Sequence, residues 1–484
     1  MNAIQRITKN TTVLLFAQIV SAVLGFIYMV YAARYLGVAG FGVLSFALAF
    51  TSIFGVCTDF GLQPYTIREV AREKRLASKY LANISLMKVV MSVVTFGLIA
   101  ITIKLMGYPE QTVRVVYLLA VFIILNAFIL MFYSVFHAYE RMEYESLGQL
   151  LRSALIFAGV MLAVTYGFSV IGFAAMYCIA GFIVLIYCFI ILRWKISDPP
   201  VPWSPRKLEI DGSFWKATLK KSLPFGLTIV FATVYYWVDS VMLSFMKGDA
   251  VVGWYNVSYR LVFTIQFIPN AFAAAIFPIM SNIYKTSLHT LRLYHEEFLK
   301  YMAILGVPIG VGVTFLASRF ILLIFGAEYT NSILALQILV WSAAFYFMSH
   351  TYAVLFATLN KQEIPTKIIG ACVILNIFLN LILIPRYSLI GASIATVVTQ
   401  FMVLALNAVW SYRIGYGIAG KKLTGIISRV MVASAVMGAL LALAHALNLI
   451  ILVVGSILLY FIVLYSIRGV KKEDISFIKT AIRR

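Results

Sequence analysis

The chain of 484 residues is 62% hydrophobic and only 12% charged, with a net charge of +21. A soluble protein needs roughly twice that charged fraction to cover its surface, so the composition excludes a string of soluble domains and predicts a membrane protein. The basic residues lie in short breaks between apolar segments, which is typical of cytoplasmic loops beside lipid headgroups. We therefore expect membrane lipids, and no nucleic acid, among the partners.

Apolar segments long enough to cross a bilayer follow one another along the whole chain. They predict an all-α integral membrane fold with about 14 transmembrane helices, over residues 11–33, 40–64, 81–104, 113–137, 149–167, 171–192, 222–246, 253–280, 299–317, 331–355, 366–385, 390–411, 427–446 and 449–467. With a cytoplasmic N-terminus, most of the 39 Lys and Arg residues fall on the cytoplasmic side of these spans. The positive-inside rule then predicts a multi-pass protein with both termini in the cytoplasm.

A polar, proline-rich break separates the first six spans from the other eight. It covers residues 193–221 and mixes prolines with aromatic and basic side chains, a composition typical of a cytoplasmic linker with an interfacial helix. We predict an N-lobe over residues 1–192, this linker, a C-lobe over 222–412, and helices 13 and 14 with a cytoplasmic tail over 413–484.

Short motifs recur in the same order in the two halves of the chain. The pairs are residues 136–143 with 356–363, residues 169–172 with 388–391, and the outer turns at 37–42 and 248–253, the last pair slightly out of phase. Six spans return the chain to its starting side, so helices 1–6 and 7–12 are interpreted as two parallel repeats. Two such bundles are the usual scaffold for alternating access.

Three groups of motifs carry a resemblance to a known family. They are residues 33–42 with 58–62 and 68–69, residues 238–240 with 253–256 and 259–261, and residues 268–269 with 277–278. With them the chain resembles, over roughly its whole length, the polysaccharide-exporter branch of the multidrug/oligosaccharidyl-lipid/polysaccharide flippase superfamily. The resemblance implies a MATE-like fold in the plasma membrane. It also implies that an isoprenoid-linked oligosaccharide is moved from the cytoplasmic to the outer leaflet.

Ionisable residues in the first six spans are candidates for cargo binding, because a charge inside the membrane is costly unless it is paired or wetted. Asp59 in helix 2 and Lys88 in helix 3 lie at matching depth near the inner face. Lys88 is only about two turns from the cytoplasmic end, so it can also extend to the headgroups. Arg152 begins predicted helix 5 at the inner surface, where it can meet lipid phosphate or cargo.

Helices 7 and 8 carry a second set of candidates. Asp239 and Arg260 lie at similar depth on adjacent antiparallel helices and can form an ion pair, which is either structural or exchanges partners during transport. Arg260 is the first candidate for a cargo pyrophosphate, since guanidinium groups bind phosphate oxygens as a planar fork. Asn256 is a candidate for contacts with the glycan.

Four residues at predicted helix ends are candidates for gating or coupling. Arg34 closes helix 1 at the outer surface, and Glu140 and Arg141 lie in a charged cytoplasmic turn that can exchange salt bridges or be merely solvated. His137 ends helix 4, near-equivalent in the repeats to His350, and either titrates near neutral pH in proton coupling or is an interfacial residue. We expect no resident cofactor or metal, with H⁺ or Na⁺ as possible coupling ions.

The sequence lacks the motifs of a membrane enzyme, such as a Walker A loop, HExxH or GxSxG. We therefore predict a non-enzymatic flippase, with a membrane glycan ligase as a remote alternative. A cation-coupled multidrug antiporter and a peptidoglycan-precursor flippase of the same superfamily stay open as closer alternatives. We expect a monomer, because about 14 helices can enclose a path alone, and other glycan-assembly proteins as possible partners.

Overall fold

The computed structural model describes residues 3–195, 211–417, 420–444 and 446–470. Within these ranges the regular structure is helical, which confirms the predicted all-α fold. The helices are α1 Ala3–Gly55, α2 Leu62–Arg72, α3 Ala77–Leu105, α4 Glu110–Ala138, α5 Met142–Thr165, α6 Val170–Lys195, α7 Gly212–Lys247, α8 Asp249–Ile265, α9 Phe267–Tyr284, α10 Leu288–Ile324, α11 Ser332–Thr358, α12 Glu363–Arg413, α13 Gly420–Leu443 and α14 Leu449–Ser466. The centre of the predicted linker, 196–210, and the end of the tail, 471–484, lie outside the described residues.

Two of the helices are too long for one crossing of a bilayer. The described ranges contain 12 helical stretches long and apolar enough to span a membrane. α1 and α12 hold 53 and 51 residues, and each contains one residue outside helical backbone geometry, Gly37 and Ser388. In α12, Asn376 Nδ2 and Thr399 Oγ1 lie 3.5 Å apart across 23 residues, so the two halves of α12 lie side by side. The exact count of about 14 spans stays a prediction.

The predicted span over residues 40–64 ends too late, because α1 breaks before residue 64. α1 stops at Gly55, a short 3₁₀ turn follows over Val56–Thr58, and Gly61 has a φ of +80°. A Cβ atom on Gly61 would overlap the backbone nitrogen of Gly226 in α7. The close approach of α7 thus requires glycine and a turn here, and hydropathy detects neither.

Three predicted spans also begin too late, because the polar and charged residues before each apolar segment resemble a loop in the sequence. α5 begins at Met142 rather than 149, α10 at Leu288 rather than 299, and α7 at Gly212 rather than 222. Acidic residues in a first turn favour a helix through its dipole, and α5 has Glu143 and Glu145 there. The described part of the predicted interfacial helix is the start of α7 and not a separate element.

The chain forms two compact units, Met1–Gly253 and Trp254–Arg484. A core of buried side chains from α2, α3, α4 and α6 lies in the first unit. The second unit has one buried cluster among α10, α13 and α14 and another among α9, α10 and α11. The first unit includes α7, which the sequence assigns to the C-lobe. The boundaries of the four predicted segments stay predictions.

Local backbone geometry matches between the predicted repeats. α4 ends with Glu140 at φ 57° and an Arg141 N–H donating to the Phe136 carbonyl at 2.8 Å. α11 ends in the same way 220 residues later, with Asn360 at φ 56° and Lys361 bound to the Phe356 carbonyl at 2.8 Å. Both ends are Schellman-type caps, in which a left-handed residue closes the last turn.

Candidate functional site

Asp59 and Lys88 form a buried ion pair in the first unit. Asp59 lies in the break after α1, and its Oδ1 accepts a hydrogen bond from Lys88 Nζ at 2.5 Å. Asp59 Oδ2 accepts from the Gln63 N–H at 3.2 Å, and Lys88 Nζ also approaches the Thr58 carbonyl at 3.5 Å. The side chain of Lys88 is 1% exposed, so it does not extend to the headgroups and the snorkelling interpretation is wrong.

This pair is neutral as a whole, and each member depends on the other. α3 begins at Ala77, which places Lys88 about 16 Å along the helix at 1.5 Å per residue. A buried ion whose partner is removed costs several kcal/mol. The pair therefore joins the break at 59–61 to α3 and leaves no net charge for an anionic ligand while it is intact.

Arg152 of α5 is a cation of the first unit that contacts a neutral amide rather than a carboxylate in the described ranges. Because α5 begins at Met142, Arg152 lies about 15 Å into the helix and not at its start, as the sequence predicted. Its Nη1 donates to Asn126 Oδ1 of α4 at 2.7 Å. No carboxylate oxygen in the described ranges lies within 4.0 Å of it.

The partner Asn126 was missed by sequence reasoning. It lies near the middle of α4, in a stretch without charged residues between Arg114 and His137. An amide oxygen orients a guanidinium without neutralising it. The arrangement therefore holds a full positive charge between two membrane helices, which is the chemistry that a phosphate needs.

His137 lies beside a buried carboxylate rather than at a free helix end. Its Nε2 contacts Glu145 Oε2, and Glu145 Oε1 accepts from Gln149 Nε2 at 2.9 Å. Glu145 was missed because the predicted helix 5 begins after it. The near-equivalence with His350 is wrong: at the offset of the matching helix caps, His137 corresponds to Ala357.

The other gating candidates lie at helix ends. Arg141 Nη1 and Glu143 Oε1 form an ion pair at 3.3 Å, with the Arg141 side chain 57% exposed. Glu140 is the left-handed residue of the cap described above, and Arg34 is exposed three residues before the Gly37 turn. Their roles in gating stay predictions.

The remaining candidates divide between the two units. Asp239 of α7 is 2% exposed and belongs to the first unit, whereas Asn256 and Arg260 of α8 belong to the second. Asn256 is completely buried and Arg260 is half-buried. The two are four residues apart, so they lie on one face of α8. The roles of all three stay predictions.

A buried polar seam in the second unit was also missed. Asn380 Nδ2 donates to Asn376 Oδ1 at 3.0 Å, Asn376 approaches Thr399, and Gln400 Nε2 donates to Ser349 Oγ of α11 at 3.1 Å. All five side chains are buried and uncharged. Amides and hydroxyls spaced at helical intervals along α12 were the available signal.

No three His, Cys, Asp or Glu side chains meet as metal ligands in the part of the chain that the structure describes. The expectations about resident cofactors and coupling ions stay predictions. Among the site candidates of the first unit, the structure joins Asp59 to Lys88, Arg152 to Asn126 and His137 to Glu145.

Comparisons with known proteins point to one class. Residues 7–284 match the family described as polysaccharide biosynthesis protein, and residues 224–382 match the MatE family. The chain is similar to the probable low-salt glycan biosynthesis flippase Agl15 of Haloferax volcanii, at 22% identity over 83% of each chain. It is also similar to the probable flippase AglR of the same organism, at 28% identity over 36% of this chain and 38% of AglR, so that match spans well under half of AglR.

A solved structure shares the fold. Lipid II flippase MurJ, in an inward closed conformation, superposes with a TM-score of 0.75 at 16% identity and covers 93% of this chain and 97% of that chain. At this identity the likeness shows the fold alone. Together with the MatE match it confirms the predicted MATE-like architecture.

Proposed function

Because the chain belongs to the polysaccharide biosynthesis protein family, and is a multi-pass membrane protein of the flippase and transporter class, we propose that it translocates an isoprenoid-(pyro)phosphate-linked oligosaccharide. The cargo moves from the cytoplasmic to the outer leaflet by alternating access. The names of its relatives support a glycan cargo, and the chemistry of the first unit supports a phosphate on it.

Arg152 carries the proposal. An isolated guanidinium in a membrane helix costs free energy unless an anion, water or a dipole compensates it. Asn126 supplies only a dipole, so a (pyro)phosphate that enters the membrane gains a charge-assisted, bidentate contact there. Arg260 is proposed as a second phosphate-binding residue on α8, with Asn256 four residues before it available to the glycan. Lys88 contributes only if Asp59 releases it.

A cation-coupled antiporter is the alternative that the buried carboxylates favour. Asp239 is 2% exposed, and a membrane-embedded carboxylate can exchange a cationic drug for H⁺ or Na⁺. Asp59 does not favour this alternative, because Lys88 already neutralises it. A peptidoglycan-precursor flippase differs from the proposal only in the glycan.

The test is translocation in liposomes of purified protein, with a fluorescent isoprenoid-pyrophosphate oligosaccharide as cargo and an external glycan-degrading enzyme as readout. We expect the wild type to expose the glycan, and Arg152→Ala to slow exposure about tenfold or more, the factor for losing a charge-assisted hydrogen bond. Arg152→Lys keeps the charge but not the fork and should be intermediate. Arg260→Ala should abolish translocation.

Arg114→Ala is the matched control. Arg114 lies near the start of α4 with a 62% exposed side chain and pairs with the exposed Glu110. Its loss should leave the rate unchanged. The wild type could instead fail to translocate the cargo and drive efflux of a cationic dye that requires Asp239. This result would contradict the flippase proposal and favour the antiporter.

The setting of this activity is proposed on the same basis. The protein acts in the cell membrane with both termini in the cytoplasm, as the distribution of Lys and Arg favours. It works as a monomer beside other glycan-assembly proteins.

A further inference from the structure

α10 contains a point at which its backbone is easily bent. Residues 306–312 include Gly306, Pro308, Gly310 and Gly312. Proline and glycine are the two residues least favourable inside a helix. Pro308 has no N–H, so the carbonyl of Ile304, four residues earlier, loses the donor that a regular helix would supply. A buried carbonyl left without a donor is destabilising.

A side chain of α14 supplies the missing donor. The hydroxyl of Tyr460 donates to the Ile304 carbonyl at 2.8 Å across 156 residues of sequence. Tyr460 is 2% exposed and lies in the buried cluster that joins α10 to α13 and α14, with Ile304 and Val307 among its members. The bond therefore forms away from water, where an unmade hydrogen bond costs most.

The glycines beside Pro308 pack closely against α11. A Cβ atom on Gly306 would lie 3.1 Å from Phe347 Cβ, and one on Gly310 would lie 3.5 Å from the Trp341 ring. α10 thus lies between α11, which contacts the glycines, and α14, which holds the freed carbonyl. The part of α10 before Pro308 carries the buried ionisable residues His295, Glu296 and Lys300.

We infer that Tyr460 is a positioning residue that fixes the angle between the parts of α10 before and after Pro308, and we call this angle the bend of α10. The two helices that follow the predicted repeats then have a defined role, because α14 completes the hydrogen bonding of a transport helix. Any consequence for transport rests on the proposed function, whereas the effect on the bend of α10 does not.

The bend is measured between spin labels on Leu293→Cys and Leu322→Cys, which lie on exposed positions of α10 on either side of Pro308. The background is a chain whose four cysteines are replaced. The labels are about 44 Å apart along a straight helix. We expect one narrow distance distribution in the parent and a broadened or shifted one in Tyr460→Phe, which removes only the hydroxyl.

Pro308→Ala separates a positioning role from general packing. Alanine restores the N–H that bonds to the Ile304 carbonyl, so the Tyr460 hydroxyl becomes redundant. Tyr460→Phe should therefore change the distribution in the Pro308 parent and leave it unchanged in Pro308→Ala. In liposomes, Tyr460→Phe should slow translocation about fivefold when residue 308 is proline. It should slow translocation less than about twofold when residue 308 is alanine. Where Pro308→Ala does not reconstitute, Pro308→Ser restores the same N–H.

Tyr465→Phe is the control, because Tyr465 lies on the same helix with a 54% exposed side chain. An unchanged distribution in Tyr460→Phe overturns the inference, and so does an equal change in both backgrounds. Since the spin-label distances need no cargo, a failure of the proposed function would leave this measurement interpretable.

Discussion

Gly42 and Gly253 occupy equivalent positions in one reciprocal backbone contact. A Cβ atom on Gly42 would overlap the Asp249 carbonyl, and a Cβ atom on Gly253 would overlap the Val38 carbonyl. Gly42 lies four residues after Val38, and Gly253 lies four residues after Asp249. Each of these two carbonyls faces the glycine of the other segment. The two segments therefore cross with matching registers, and only glycine allows the approach.

The glycine turns that precede Gly42 and Gly253 explain why the two segments cross with matching registers. Gly37 has φ 65° and ψ −179°, and Gly248 has φ 87° and ψ 172°, a conformation essentially restricted to glycine. Both turns lie five residues before the contact glycine, so they are in phase with each other. The separation between these two turns along the chain differs from the separation between the other paired motifs, and for this reason the sequence comparison places them slightly out of phase.

Gly42→Ala should destabilise the protein by at least about 2 kcal/mol, because the added methyl group meets backbone rather than a movable side chain. The measurement is thermal unfolding in detergent, followed by tryptophan fluorescence. Gly97→Ala is the control: a Cβ atom there meets nothing within 4 Å, and alanine should be neutral or slightly stabilising in α3. Equal melting temperatures for the two variants would show that the crossing is not close.

Lys88→Met should destabilise the fold by about 3–5 kcal/mol, because it leaves the Asp59 carboxylate buried without its partner. Asp59→Asn should have a similar effect, because it leaves the Lys88 ammonium group buried without its partner. The double variant should lose much less than the sum, since neither charge is left uncompensated. Strictly additive losses in the same unfolding assay would argue that the two side chains do not interact.

Asn376→Cys with Thr399→Cys should form a disulfide on mild oxidation of a chain without its native cysteines. The two side chains lie 3.5 Å apart, whereas the same positions on a straight helix would be about 34 Å apart. Ile374→Cys with Thr399→Cys is the control, because Ile374 is 72% exposed. A shift on a non-reducing gel for the first pair alone would establish α12 as two antiparallel halves, and no shift for either pair would contradict this.

Asp211 should make the start of α7 sensitive to acid. The Ser213 hydroxyl and the Phe214 N–H hydrogen-bond to its carboxylate and hold its pKa below the ordinary value of 3.8. A carboxylate with a lowered folded-state pKa stabilises the fold above its unfolded-state pKa, and this contribution is lost as the pH falls through the folded-state pKa. The stability difference between wild type and Asp211→Ala should therefore be largest near neutral pH and shrink below about pH 4. A difference independent of pH would assign the effect to helix propensity instead.

Hydropathy was sufficient to predict an all-α membrane fold, because a bilayer requires apolar helices long enough to span it. The matching helix caps at Phe136 and Phe356 could also be predicted, since local hydrogen bonds determine them. The break at Gly61 could not, because it depends on the approach of Gly226 from a helix distant in sequence.

The charges of the candidate site could be predicted, but not their partners in every case. The sequence placed Asp59 and Lys88 at matching depth, and the structure joins them in an ion pair. Arg152 was misplaced, because Glu143 and Glu145 make the first turns of α5 resemble a loop. Its contact with Asn126 depends on how α4 packs against α5. A single neutral amide in an apolar span does not indicate that role.

Arg152 also makes the insertion of α5 into the bilayer as a single helix unfavourable. A central arginine adds about 2.5–3.5 kcal/mol to the insertion of a lone helix, whereas α4 has no charged residue between Arg114 and His137 and can enter the bilayer readily. Asn126 is synthesised 26 residues before Arg152, so the acceptor is already available when the arginine emerges. We expect α4 and α5 to insert as a hairpin. In a glycosylation-mapping assay of chains truncated after α5, Asn126→Leu should lower the insertion of α5 but not of α4, and equal insertion of α5 with or without Asn126 would oppose this order of assembly.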